Sequence, residues 1–150
     1  MTGPKHLTAI MVMVPSSSDL RAMRVLLILL QAFLAISAMP AGLMLMWAPD
    51  GHLIQLPLAV LTNAPFTDFF WPGAMLFTVL GLGHAAGLVL TWRRAPLAAR
   101  AALVLGAGTV IWIVVQVIMT EPLFWMQGLI GGLGLAEVLA GARAGRGPER

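Results

Sequence analysis

Four long apolar segments dominate the hydrophobic pattern of the chain, and most of its charged residues lie outside them. The segments cover residues 25–47, 73–92, 97–119 and 123–139. Each is long enough for a transmembrane helix, which takes about 17 to 25 residues. The last is the shortest and is rich in glycine, so thinning of the bilayer or packing against a neighbouring helix would have to accommodate it. The pattern predicts an all-α integral membrane bundle of four transmembrane helices.

The composition narrows the class of protein and removes several kinds of chemistry. Hydrophobic residues make up 59% of the chain, charged residues only 10%, and the mean hydropathy is +0.91, far from the average of soluble domains. Four spans use most of the 150 residues and leave no room for a separate soluble domain. The chain has no cysteine, which excludes thiol nucleophiles, iron–sulfur clusters and zinc–thiolate sites. Four-helix thiol oxidoreductases are therefore excluded.

The basic residues predict the orientation of the bundle. They are Lys5, Arg21 and Arg24; Arg93, Arg94 and Arg100; and Arg143, Arg146 and Arg150. An even number of spans places all three groups on one face, and the excess of Lys and Arg in cytoplasmic loops makes that face cytoplasmic. Both termini are therefore predicted inside, and the outer connections carry only acids, Asp50, Asp68 and Glu121. The net charge of +3 is a topology signal, and nucleic-acid binding is not expected.

The sequence outside the spans divides into an arm, a long outer connection and a tail. Residues 1–21 are predicted to be a cytoplasmic arm, disordered or lying on the membrane surface, because LTAIMVMV is too short to span and no signal-peptide cleavage pattern follows it. The transmembrane domain covers 22–142, and 143–150 form a basic cytoplasmic tail. The outer connection from Ala48 to Pro72 contains HLIQLPLAVL, which is too apolar for a solvated loop and is predicted to rest in the interface.

The stretch TNAPFTDFFWPG, residues 62–73, places an acid directly before the second span. A helix N-terminus has unpaired N–H groups and the positive end of the helix dipole, so an acid there is stabilised, and a proline in the first turn loses no hydrogen bond. Asp68 with Pro72 fits this role, and Glu121 with Pro122 repeats it before the fourth span. We favour this structural interpretation of both carboxylates.

A functional interpretation of the same acids stays open. Asp68 and Glu121 could converge at the outer mouth of the bundle with His52, Asn63 and Gln127. Two carboxylates beside an apolar wall could act as general acid and base, or hold a cation. No spacing in the sequence requires this arrangement, because the residues come from three separate segments.

Few polar residues lie inside the predicted spans, and each ionisable one is a functional candidate because exposing it to lipid is costly. His84 lies past the middle of the second span, Gln116 near the outer end of the third and Gln31 near the inner end of the first. We favour a packing role for His84, as a hydrogen-bond partner of a neighbouring helix, over a functional one. Glu137 is predicted to reach the interface beside Arg143. With no carboxylate at the midplane, a proton-driven small multidrug exporter is not expected.

Small residues recur at four-residue spacing in two of the spans. Gly83 and Gly87 form such a pair in the second span, and Gly128 and Gly132, followed by Ala136, form a longer series in the fourth. This pattern allows helix backbones to approach closely. We favour packing within the bundle, and a partner membrane protein or a homodimer contacting the fourth helix is the alternative.

A set of short motifs carries a family resemblance between Pro40 and about Leu135. The motifs are Pro65, Phe66 and Asp68; Pro72-Gly73; Gly81-Leu82-Gly83; Arg93-Arg94; and Ile111-Trp112-Ile113 with Gln116. In these the chain resembles a group of small bacterial four-span integral membrane proteins with no assigned activity. The resemblance implies a bacterial inner-membrane location and the four-helix fold, and it implies no catalytic role for any residue.

The sequence leads to two functional hypotheses. The favoured one is an integral membrane protein without a recognisable catalytic motif, acting in the lipid bilayer as an accessory or assembly subunit through helix packing. The alternative is a binding site or small enzyme for an apolar ligand, a lipid or quinone, at the outer mouth, with Asp68, Glu121 and His84 as the residues to test. No cofactor and no metal are expected. His6 and His52 lie outside the spans, so two histidines within them cannot ligate a haem.

Overall fold

The computed structural model describes residues 16–146 and contains, within that range, four long helices and no strand. The helices are α1 (Ser17–Trp47), α2 (Phe70–Trp92), α3 (Ala98–Met119) and α4 (Trp125–Ala144), and two short 3-10 turns, His52–Ile54 and Leu58–Val60, lie between α1 and α2. The predicted all-helical fold is confirmed. Predictions for 1–15 and 147–150, in the arm and the tail, lie outside the described residues.

The four helices form a bundle in which neighbours in sequence are neighbours in space. α1 packs against α2, α2 against α3 and α3 against α4, and α4 returns to α1 and closes the ring. α2 and α4 therefore lie diagonally across the bundle from each other. Any side chain that joins these two helices must pass through the centre.

The antiparallel order of the helices separates the charges. The basic end of the bundle holds the start of α1, the connection from α2 to α3 and the end of α4. The loop end holds the connection between α1 and α2 and the start of α4, with Asp50, Asp68 and Glu121. The basic end carries Arg21, Arg24, Arg93, Arg94, Arg100, Arg143 and Arg146.

Three of the helices, α1, α2 and α3, are long and apolar enough to cross a membrane. α4 is not among them, because five glycines, Gln127 and Glu137 lower the hydropathy of its 20 residues. Large apolar side chains such as Ile36, Val104 and Ile118 point away from the bundle and are exposed. Such extensive apolar surface is unusual for a soluble monomer and is suited to contact with lipid or another chain.

A capping box starts α1 before the predicted span. The Ser16 hydroxyl accepts a hydrogen bond from the Asp19 N–H at 3.2 Å, and Asp19 Oδ2 accepts one from the Ser16 N–H at 3.0 Å. This reciprocal pair satisfies two N–H groups at the helix start. The helix then runs through Pro40 to Trp47 without interruption.

A π-helical segment, Leu76–Leu82, interrupts α2 near its middle. π turns are rare, and they occur frequently at functional sites. The segment ends directly before Gly83 and His84. It therefore sets the position from which His84 enters the bundle.

Two glycine contacts bring helix backbones together. A Cβ at Gly42 of α1 would lie 2.7 Å from the Gly73 carbonyl oxygen of α2, and a Cβ at Gly106 of α3 would lie 2.6 Å from the Gly134 carbonyl oxygen of α4. A side chain at Gly42 or Gly106 would push these helices apart. Small residues thus permit close packing within the bundle.

The connection between α1 and α2 packs onto the loop end of the bundle. Val60 is buried against Leu45 of α1 and Phe69 at the start of α2. The Glu121 N–H donates to the Val60 carbonyl at 3.1 Å, which ties the connection to the start of α4. The apolar part of this connection is therefore not freely solvated.

Candidate functional site

Five polar side chains meet inside the bundle, and every helix contributes at least one. Each of them exposes 3% or less of its surface. Each makes a side-chain hydrogen bond, as buried polar groups need. We call this set the buried polar network: Gln31 from α1, His84 and Thr91 from α2, Thr109 from α3 and Glu137 from α4.

At the centre of the network His84 faces Glu137 across the bundle. His84 Nε2 and Glu137 Oε2 lie 3.0 Å apart, and both side chains are almost completely buried. With a rise of about 1.5 Å per residue, both Cα atoms lie roughly 10 Å or more along the helix from the basic end. The pair is therefore an interior contact that joins α2 to α4.

The prediction that Glu137 reaches the interface beside Arg143 is wrong. Glu137 is 0% exposed and pairs with His84. The side chain turns inward because the bundle interior offers it both His84 and Gln31 as partners.

Hydrogen-bond geometry assigns the protons of the pair. His84 Nδ1 lies 2.6 Å from the carbonyl oxygen of Leu80. A carbonyl oxygen only accepts, so Nδ1 carries a proton and donates it. A hydrogen bond between His84 Nε2 and Glu137 Oε2 then requires one further proton between these two atoms. The pair has no net charge whether that proton is on the imidazole or on the carboxyl group.

Gln31 binds the second carboxyl oxygen of Glu137, and Thr91 in turn binds Gln31. Gln31 Nε2 donates to Glu137 Oε1 at 3.0 Å, and the Thr91 hydroxyl donates to Gln31 Oε1 at 2.8 Å. Arg24 then reaches the same turn of α2, where its Nε donates to the Thr91 carbonyl at 3.1 Å. A continuous series of contacts therefore connects the basic end of the bundle with the buried pair.

Arg24 also caps the carboxyl end of α2. Besides the Thr91 carbonyl, its Nη2 donates to the Trp92 carbonyl at 2.7 Å. The last carbonyls of a helix lack partners within it and form the negative end of its dipole. A guanidinium group there donates hydrogen bonds to these carbonyls, and its positive charge is attracted to the negative end of the dipole. This contact also fixes α1 against α2 at the basic end.

Thr109 completes the surroundings of the pair from α3. Its hydroxyl donates to the Leu105 carbonyl at 3.0 Å, and its oxygen lies 3.4 Å from His84 Nε2. The longer distance makes this a weak contact. The side chains that face His84 and Glu137 from α1 and α3 are therefore uncharged.

The chemistry open to this network is the holding and exchange of a proton. Among residues 16–146, no group of three or more His, Cys, Asp or Glu side chains could hold a metal ion. One surface groove lies at the loop end and another near the basic end, and neither is lined by His84 or Glu137. The network therefore lies apart from these two grooves.

The residues predicted at the outer mouth lie at the loop end but serve local roles. Asp68 Oδ1 accepts a hydrogen bond from the Phe70 N–H at 2.9 Å, at the first residue of α2. Gln127 accepts from the Phe124 N–H at 3.1 Å and so caps α4. The structure shows no hydrogen bond between Asp68 and Glu121. Asn63 and Gln116 make hydrogen bonds with their backbones. The Asn63 N–H donates to the Met119 carbonyl, and the Gln116 carbonyl accepts from the Thr120 N–H.

His52 pairs with Asp50 rather than with the other candidates. His52 Nδ1 lies 2.6 Å from Asp50 Oδ1, and both side chains are exposed. Hydrogen bonds from the His52 side chain and backbone lower the pKa of the Asp50 carboxyl group below its ordinary value. This pair stabilises the turn that follows α1.

The predicted packing glycines divide into two groups. Gly83 and Gly87 face Leu105 of α3, and a Cβ at Gly87 would overlap that side chain. A Cβ at Gly128 or Gly132 meets no atom within 4 Å, and Ala136 on the same helix is only half-buried. Within the described residues, α4 packs on α3 through Gly134 and Gly141 instead.

Comparisons of the chain with protein-family models, with curated proteins and with solved structures find no match in any of the three. The family resemblance drawn from the sequence therefore stays a prediction.

Sequence reasoning misses the buried position of Glu137. Glu137 lies six residues before Arg143, Gln31 seven residues after Arg24 and His84 nine residues before Arg93. These separations from the basic residues are the signal that could have placed Gln31, His84 and Glu137 at neighbouring depths inside the bundle. Thr91 and Thr109 gave no comparable signal, because threonine is common in transmembrane helices.

Proposed function

We propose that this chain is a multi-pass protein of the bacterial cytoplasmic membrane, with four spans and both termini in the cytoplasm. α1, α2 and α3 are long and apolar enough to cross. α4 packs against both α3 and α1, and its ends lie at the same two ends of the bundle, so we infer that it crosses as well. The collection of basic residues at one end supports the orientation.

The orientation can be tested with single cysteines, because the chain contains none of its own. A cysteine at position 52, at the loop end, should react with a membrane-impermeant maleimide added to spheroplasts. A cysteine at position 145, at the basic end, should react only after lysis. Reaction of both positions before lysis in sealed spheroplasts would contradict the proposed topology.

Within the membrane we propose that the protein is an accessory or assembly subunit that packs α4 against a transmembrane helix of a partner protein. The observation that carries this is the open face of α4. Gly128 and Gly132 meet no neighbour within 4 Å, and Trp125, Met126 and Leu129 on the same helix are exposed. A glycine offers little apolar surface for contact with lipid, but it lets the backbone of another helix approach closely.

Gly132→Leu tests this role. Leucine there meets open space in the chain itself, so the variant should fold, and co-purification of the partner from native membranes should fall. Gly108→Leu is the matched control, because a Cβ at Gly108 of α3 also meets no atom within 4 Å. Equal recovery of the partner with both variants would remove α4 as the interface. If the co-purified protein is a second copy of this chain, α4 forms a homodimer interface and the accessory role is wrong.

A second candidate function is the binding of an apolar ligand, a lipid or a quinone, at the loop end. A groove of about 420 Å³ supports it and is lined by Pro65, Phe66, Thr67, Asp68, Phe70 and Trp71. Asp68→Asn and Glu121→Gln distinguish the two candidates. Loss of a ligand-dependent stabilisation with the fold intact would favour the ligand site. A change in thermal stability alone would leave Asp68 as a capping residue.

A further inference from the structure

The His84–Glu137 pair has features that a simple packing contact does not require. Both groups are titratable, both are buried, and they face each other at 3.0 Å across the diagonal of the bundle. The Leu80 carbonyl fixes the tautomer of His84, and Gln31 fixes the orientation of the Glu137 carboxyl group. An interior ionisable pair in a membrane span is a functional candidate by default.

We propose that His84 and Glu137 form a proton-binding site inside the bundle, whose ligand is the single proton held between His84 Nε2 and Glu137 Oε2. This inference goes beyond the proposed subunit role and does not depend on which partner α4 contacts. The pair is thereby assigned one bound proton per chain.

The bond between α2 and α4 exists only with one proton in the site. If a second proton binds, Nε2–H and the protonated carboxyl group become two donors facing each other, and the site carries a positive charge. If the proton leaves, the Nε2 lone pair faces a carboxylate and the site carries a negative charge. An uncompensated charge in a dry interior is strongly unfavourable. Both changes therefore weaken the link between α2 and α4.

The side chains around the pair carry no charge, so the charge of the site depends on His84 and Glu137 alone. Gln31 faces it from α1, Thr91 lies behind Gln31 on α2, and Thr109 faces it from α3, and none of these side chains titrates. Glu137 is the sole contribution of α4 to the network. Arg24 is the charged group linked to it through hydrogen bonds, and it contacts the carbonyl of Thr91 rather than the pair.

The π-helical segment places His84 where a change in the site can be transmitted. Leu80, which accepts from His84 Nδ1, lies within Leu76–Leu82. Hydrogen bonds in a π segment run between residues five apart instead of four, and such segments are frequent at functional sites. A residue of the π-helical segment therefore holds the Nδ1 side of the His84 ring.

Glu137→Gln tests the proposal while keeping the shape of the site. A glutamine at this position can donate to His84 Nε2 and accept from Gln31, but it has no proton to release. The purified full-length protein in detergent should lose thermal stability on both the acid and the alkaline side of an optimum. The Glu137→Gln variant should keep the acid-side loss, which comes from His84, and should lack the alkaline-side loss that the wild type shows. His84→Gln combined with Glu137→Gln should remove both contributions.

The ring nitrogens of His84 give a second readout that does not depend on the variants folding. In ¹⁵N-histidine-labelled wild-type protein, their chemical shifts should change with pH over the range in which the bundle is folded. Ring shifts of His84 that stay constant over this whole range would overturn the proposal. So would superimposable pH profiles of thermal stability for the wild type and Glu137→Gln.

Discussion

Gln31→Leu should destabilise the bundle by removing one partner from two buried hydrogen bonds. Leucine has a volume close to that of glutamine, so no large cavity forms. Glu137 Oε1 loses the donor now 3.0 Å away, and the Thr91 hydroxyl loses the acceptor now 2.8 Å away. Both groups stay in the interior of the bundle, where no other side chain replaces Gln31.

The expected loss is about 2 kcal/mol. An unsatisfied buried polar group costs about 1–3 kcal/mol in soluble proteins, whereas interhelical hydrogen bonds in a membrane protein average about 0.6 kcal/mol with a maximum near 1.7. The Thr91 hydroxyl can turn to a carbonyl in the preceding turn of its own helix, which reduces its share. The carboxyl group of Glu137 has no such local substitute and contributes most of the loss.

Unfolding of the purified protein in mixed micelles, titrated with a denaturing detergent and followed by circular dichroism, measures this loss. Gln116→Leu is the matched control on α3, because the hydrogen bonds at Gln116 use its backbone carbonyl rather than its amide group. Gln31→Leu should unfold at a lower denaturant fraction than the wild type and the control. If Gln31→Leu unfolds with the wild type or later, the network does not stabilise the bundle.

Three further predictions concern local contacts. Gly106→Leu should destabilise the bundle by several kcal/mol in the same unfolding assay, because its Cβ would clash with the backbone of α4, whereas Gly108→Leu, at an open position, should not. Asp68→Ala should cost about 1 kcal/mol of stability through loss of the hydrogen bond from the Phe70 N–H, whereas Asp68→Asn keeps the accepting oxygen and should cost less; equal costs would argue against this contact. His52→Ala should raise the pKa of the Asp50 carboxyl group, which NMR of the carboxyl carbon measures. Since His52 lowers that pKa in the folded state, its stabilising effect is present above the ordinary carboxyl pKa and is lost as the pH falls, and an unchanged pKa would contradict the contact.

The helices and the ends of the bundle could be predicted because lipid-soluble helices have a strong local signal. Long apolar runs placed α1, α2 and α3, and the basic residues separated the two ends of the bundle. Asp68 before α2 and Pro72 in its first turn agree with the expected helix start, because such contacts involve residues adjacent in sequence. All of these features depend on a single helix or a single turn.

The buried site depends on contacts between distant parts of the chain, which are harder to predict from sequence. His84 and Gln31 were recognised as interior candidates, but Glu137 was placed at the interface because Arg143 follows it on the same helix. The direction of its side chain is decided by partners on α1 and α2, which no pattern within α4 reveals. The π-helical segment before His84 also has no composition that distinguishes it from ordinary helix.

Solid-state NMR of the protein in lipid bilayers can show whether His84 and Glu137 share one proton inside the bundle. The chain has three histidines, so substitution of His6 and His52 leaves a single ring to observe. We expect a protonated Nδ1 and a through-space correlation between His84 Nε2 and the carboxyl carbon of Glu137. A His84 ring that exchanges freely with water and shows no correlation with Glu137 would contradict it.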